Sequence, residues 1–242
     1  MNNKQNIARF ETELSRIQRP GMDRLLAFIR SSDFYTAPAS TKFHLSCEGG
    51  LLQHSLNVLD ALRGQLIQGE NGWEYRVAGQ TVAVFSEETV IIVALLHDIC
   101  KTYFYTTSTR NVKNDQTGKW EKVPFYTVND KMPLGHGDKS AMIIKQYINL
   151  TTPEMYAIWW HMAFTDIAPS EALTLGQAID QYPLIWALHT ADMVASHYME
   201  ADAGNKDQFI RATGSDEGNA GEYADAPAEG VFEEAEALAN AT

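Results

Sequence analysis

The sequence predicts a mainly α-helical bundle that carries two β-hairpin insertions, at about residues 70–86 and 103–130. Three observations predict it. Apolar residues recur at helical spacing, beginning with Ile7, Phe10, Leu14 and Ile17. Two stretches alternate apolar and polar residues around turn-forming groups, Ala78-Gly79 and Asn114-Asp115-Gln116-Thr117-Gly118. The run Val90-Ile91-Ile92-Val93-Ala94-Leu95-Leu96 is apolar on every face, as a helix buried on all sides must be.

The elements follow in order. Pro20-Gly21 ends the first helix, and Leu25, Leu26, Phe28 and Ile29 suggest a short second one. Residues 36–47 read as a loop. Gly50 to Ile67 reads as a helix with Leu51, Leu52, Leu56, Val58, Leu59 and Leu62 inward. The first hairpin spans Trp73 to Phe85. Ser86 is a good N-cap, and Glu87 and Glu88 favour the dipole of the helix that follows. The second hairpin runs from Tyr103 to Val128. Gly137 to Ile148 returns to helix, and Asp138 and Lys139 read as its solvated first turn. Thr152-Pro153-Glu154 starts another helix, with proline at the first helical position. Pro183 starts the last, which holds Asp192. Trp159, Trp160 and Trp186 read as core residues.

Composition narrows the class. The chain has 242 residues and 45% apolar content, enough for one substantial core. No run of eighteen apolar residues exists, so no membrane span is expected, and Met1-Asn2-Asn3-Lys4-Gln5 is not an apolar signal segment. Two cysteines, Cys47 and Cys100, are too few for a disulfide framework and point to a cytoplasmic protein. Neither belongs to a Cys-x-x-Cys pair, so a thiolate zinc site is not expected. The net charge is −12, but from Glu200 onward there are eleven acids and two bases, leaving −3 for the first 199 residues. Residues 1–203 are therefore expected to fold as one domain, and residues 204–242 to form an acidic, disordered tail. A body so nearly neutral lacks the basic footprint of a duplex-DNA binder.

The chemistry starts at His97 and Asp98, side by side at the end of the Val90–Leu96 run. An imidazole and a carboxylate left dry and unpaired there would cost several kcal/mol. A metal ion would satisfy both. Four further residues have the same character, polar among apolar neighbours: His54 and His136 at helix starts, His161 after Ile158-Trp159-Trp160, and Asp192 inside an apolar helix.

The ordered set His54, His97-Asp98, His136, His161, Asp192 resembles the HD superfamily of metal-dependent phosphohydrolases, over about residues 44–197. Gly49-Gly50-Leu51-Leu52-Gln53-His54 and Leu95-Leu96-His97-Asp98-Ile99-Cys100-Lys101 are most like the HD domains of certain bacterial 3′-to-5′ exoribonucleases. The whole chain also resembles small HD-domain proteins of phages and prophages. Cys100 departs from the pattern, which often has glycine before the lysine. The Gly-Tyr-Pro signature of cyclic-di-GMP phosphodiesterases is absent, which disfavours that subfamily.

The resemblance implies an HD helical bundle and a hydrolase. Six ligands exceed the needs of one ion that must also bind water and substrate, so two are expected. His54, His97, Asp98 and Asp192 would hold one; Asp98, His136 and His161 would hold the other, with Asp98 bridging. Mixed nitrogen and oxygen ligands suit Mn, Fe, Mg, Ni, Co or Zn. Asp98 and Lys101 are the expected catalytic residues, the lysine neutralising a non-bridging phosphoryl oxygen. Extra histidines between the His-Asp pair and the last aspartate go, in that superfamily, with dinuclear centres and phosphodiester cleavage. The expected substrate is a nucleotide, a cyclic nucleotide or a short nucleic acid 3′ end. Two alternatives stand: a nucleotide phosphomonoesterase or dNTP triphosphohydrolase, and a non-catalytic scaffold that binds a nucleotide or a protein. His44 could contact phosphate or protonate a leaving group, and His189 reads more readily as a core histidine than as a support for the ligands.

Overall fold

Helix follows from the spacing of apolar residues, and the computed structural model bears this out over the residues it describes, 3–114, 118–165 and 167–200. The expected acidic tail, residues 204–242, lies outside them. The fold is mainly helical with two small antiparallel sheets. In chain order the elements are α1 (Asn3–Leu14), α2 (Met22–Ser31), α3 (Gly50–Gln65), β1 (Leu66–Gly69), β2 (Gly72–Val77), β3 (Gln80–Phe85) and α4 (Glu87–Leu96). After these come β4 (Tyr105–Lys113), β5 (Trp120–Val128), α5 (His136–Lys145), α6 (Thr152–Trp159), α7 (Ala172–Gln181) and α8 (Leu184–Val194).

Helix α4 is the axis of the bundle. Every residue from Val90 to Leu96 is fully buried. Burying each of its larger side chains contributes about 1.5–3 kcal/mol, so this stretch of about two turns is fixed in place. Its start is fixed too, since the Ser86 hydroxyl accepts from the Thr89 amide at 3.1 Å. Helix α3 packs against α4 and α8, α6 packs against α4 and α8, and α5 lies along α6. Gly137 makes the last contact possible: a Cβ there would sit 1.8 Å from the Trp159 carbonyl oxygen. A smaller apolar cluster, Trp160, Ala163, Leu175, Ala178 and Ile185, ties α7 to α8 and the end of α6.

The expected helix from Gly50 to Ile67 stops at Gln65, because Leu66 turns extended and opens β1. The first insertion is thus a three-stranded sheet of order β1-β2-β3, rather than a hairpin alone. Its Ala78-Gly79 turn is as expected, with positive φ at both residues (49° and 81°) between paired Val77 and Gln80. The second hairpin pairs Tyr105 with Val128 through Lys113 with Trp120. Helix α5 begins one residue earlier than expected and ends at Lys145 rather than Ile148. Lys139 is not solvated: it is buried, and its Nζ bridges both Asp130 oxygens at 2.7 Å. Nor are all the tryptophans core: Trp160 is buried, but Trp159 and Trp186 are about 40% exposed (40% and 39%). Among the described residues no helix is long and apolar enough to cross a membrane.

Candidate metal centre

Two histidines are placed by the same device. Helix α4 ends at Leu96, and His97, the next residue, donates from Nδ1 to the carbonyl of Ala94 at 2.9 Å. Helix α6 ends at Trp159, and His161 donates from Nδ1 to the carbonyl of Ile158 at 2.7 Å. Each imidazole satisfies a carbonyl that its own helix leaves without a partner. Each ring is thereby fixed in the tautomer that leaves Nε2 unprotonated. Both Nε2 atoms are buried and have no hydrogen-bond partner.

His54, on α3, is oriented by a carboxylate instead. Its Nδ1 lies 2.9 Å from Glu200 Oε1, and Asn57 Nδ2 donates to the same oxygen at 3.0 Å. Its Nε2 faces Asp192 Oδ1 at 3.2 Å. The Nε2 atoms of His54, His97 and His161 converge on one carboxylate, at 3.6, 3.5 and 3.6 Å from Asp98 oxygens. These separations are too long for hydrogen bonds. Lys101 Nζ completes the surroundings of Asp98, at 2.6 Å from Oδ2.

The six residues expected as ligands therefore fall into overlapping groups, within each of which the ligand atoms lie within 4.8 Å of one another. His54, His97 and Asp192 form one, and His97, Asp98 and His161 a second. His136 joins Asp98 in a third group whose other member is Cys100. Among the described residues none of these groups holds both His136 and His161. A fourth, His44, His54 and Glu200, lies beside the first. The donor set fits divalent ions: buried, unpartnered imidazole nitrogens and carboxylate oxygens aimed at one another are unfavourable without a cation between them.

Two members leave little signal in the sequence. Glu200 falls where composition begins to read as acidic tail, yet its side chain is fully buried against His54. Its one local hint is position, eight residues and a little over two turns beyond Asp192. Cys100 has no Cys-x-x-Cys partner to mark it as a ligand, but its Sγ lies 3.4 Å from His136 Nδ1. His189 supports rather than binds, donating from Nδ1 to the His161 carbonyl at 2.7 Å.

Charge in the cluster follows from its neighbours. Burial opposes ionisation of Asp98, but Lys101 and the imidazoles outweigh it and hold the carboxyl well below the usual range. Asp192 is lowered against the same burial penalty by His54. Burial opposes charge on His54 too, yet Asp192 and Glu200 lift its pKa to about 10. Burial lowers that of His97 to about 4 and pushes the Cys100 thiol up to about 12. Burial and then His54 lower His44.

Backbone strain gathers at the same place. Among the described residues four non-glycine residues have left-handed φ, and three of them flank the cluster: Leu45 (44°) beside His44, Tyr103 (56°) after Lys101, and Ala163 (46°) after His161. Each costs about 1 kcal/mol or more and persists only where packing enforces it. The cluster opens to solvent through a cavity of about 140 Å³ lined by His44, His54, Asp98, Lys101, His189 and Asp192, with Met162, Thr165, Met193 and Ser196. Compared with family models, curated proteins and solved structures, the chain finds no match.

Proposed function

We propose that the protein is an HD-type metal-dependent phosphohydrolase, a two-metal phosphodiesterase acting on a nucleotide, a cyclic nucleotide or a short nucleic acid 3′ end. The observation that carries the reading is the convergence of three histidine Nε2 atoms on Asp98, at the floor of a cavity that also presents Lys101. His54, His97, Asp98 and Asp192 would hold one ion, and Asp98 with His136 and His161 the other. Bound divalent ions would neutralise phosphoryl charge and lower the pKa of water at the reacting phosphorus.

The chain's own groups do the rest. Lys101 is cationic, since Asp98 raises its pKa against the penalty of burial, and it lines the cavity where a non-bridging oxygen would rest. His44 also lines the cavity, and its lowered pKa keeps it neutral at pH 7. In this reading it exchanges a proton with a leaving oxygen. The nearly neutral body argues for a small substrate held by the centre rather than a duplex held by a basic face.

The test is manganese-stimulated hydrolysis of an aryl phosphodiester beside the matching monoester, wild type against Asp98→Ala, with both proteins shown to be folded by circular dichroism. Diester turnover that vanishes in the variant supports the proposal. Monoester turnover alone would move the substrate class to nucleotide monophosphates. Full activity in folded Asp98→Ala would end it.

A further inference from the structure

Asp98, Cys100 and His136 offer three ligand atoms within 4.8 Å of one another. Cys100 is 2% exposed, so its thiol is shielded from solvent. The short turn Ile99–Lys101 carries it there, and the Cys100 amide is anchored by donating to Ser140 Oγ at 3.2 Å. Sγ and His136 Nδ1 are 3.4 Å apart. Thiolate and imidazole bound to one tetrahedral ion, with bonds of about 2.3 and 2.0 Å, would have their donor atoms roughly 3.5 Å apart. The adjoining group shares Asp98 and includes His161, whose buried Nε2 has no partner and lies 3.6 Å from Asp98 Oδ1.

We infer that Cys100 is a metal ligand, so that the ion held by Asp98 and His136 has a thiolate in its coordination sphere. The inference rests on the metal-centre reading above and deepens it. On binding, the Cys100 S–H bond breaks, the proton passes to solvent and the sulfur lone pair forms the bond to the ion, with no change of oxidation state. A thiolate biases that position towards zinc, cobalt or iron and against magnesium. The two ions would then differ in kind, one held by imidazole and carboxylate alone and the other by sulfur as well.

Cobalt(II) titration of the full chain tests this, because sulfur bound to cobalt gives an intense near-ultraviolet charge-transfer band that nitrogen and oxygen ligands do not. The expected result is a band in wild type that survives Cys47→Ser and is lost in Cys100→Ser, with cobalt affinity at that position falling roughly tenfold or more. Cobalt bound without the band, or a band that persists in Cys100→Ser, overturns the inference and leaves the metal centre standing. No cobalt bound at all overturns both. If Cys100→Ser does not fold, X-ray absorption of zinc-loaded Cys47→Ser decides, since Cys100 is then the one thiol left. A sulfur neighbour at about 2.3 Å supports the inference, and a shell of nitrogen and oxygen alone refutes it.

Discussion

Two of the clusters of buried charge in this bundle differ in kind, one around Arg19 and Glu154 and the other around His54 and Asp98. In the first, Arg19 grips Glu154 through two bonds of 2.6 Å. Glu154 also accepts from the Thr151 amide and the Thr89 hydroxyl, both at 2.8 Å. Arg19 has further partners in the Asn149 carbonyl at 3.0 Å and in Glu88. The cluster joins the end of the α1 segment to the starts of α4 and α6, and every Glu154 oxygen has a partner. In the second, three imidazoles and two carboxylates face one another, and the Nε2 atoms of His97 and His161 have no hydrogen-bond partner. The difference teaches how to tell a structural ion pair from a binding centre. A cluster that serves the fold closes on itself, whereas one able to take a ligand leaves buried donor atoms, here two imidazole nitrogens, without a hydrogen-bond partner.

Breaking each cluster at its middle should give opposite phenotypes. Asp98→Ala should lose all measurable hydrolysis and remain folded, read by turnover and circular dichroism. Arg19→Ala leaves Glu154 charged and buried, so it should cost about 3–5 kcal/mol in urea unfolding while turnover per folded molecule is unchanged. A variant of Arg19 that lost activity with no loss of stability would break the comparison.

Glu200 belongs to the second cluster by contact alone, which makes it a sharper test. Glu200→Gln should weaken metal binding roughly 10–100-fold in a competition titration, with little change of Tm in chelator. The first cluster has a pH signature. Burial opposes ionisation of Glu154, but Arg19 and the Thr151 amide hold its pKa below the ordinary 4.5. A carboxylate depressed on folding stabilises the protein above its unfolded pKa, and that stability is lost as pH falls through the folded value. Unfolding free energy should therefore drop from about pH 4.5 downward in wild type, and less steeply in Glu154→Gln. The smallest effect is local. Ser86→Ala removes the cap of α4 and should cost about 1 kcal/mol without changing metal affinity, since His97 is held at the other end of that helix.

The same contrast explains what the sequence made legible. Helix α4 and its cap were readable because a seven-residue apolar run and a preceding serine are adjacent in the chain. His97 and Asp98 were readable because a buried polar pair stands out against that run. Glu200 was not, since its partner His54 is 146 residues away and it opens the stretch whose composition reads as an acidic tail. The Arg19–Glu154 pair, 135 residues apart, leaves no local pattern either. Lys139 reads as a solvated helix start until Asp130 is placed beside it. Strand β1 escaped notice because four residues following a helix are too few to show alternation.

If the open cluster holds divalent ions, as proposed, metal content reads them out. Wild type and Asp98→Ala would be stripped with chelator, reloaded with manganese or zinc, desalted and analysed for metal per chain. Two ions per wild-type chain are expected, with loss of metal in Asp98→Ala. A wild-type protein that comes through metal-free, or an Asp98→Ala variant that holds as much as wild type, would contradict the proposal.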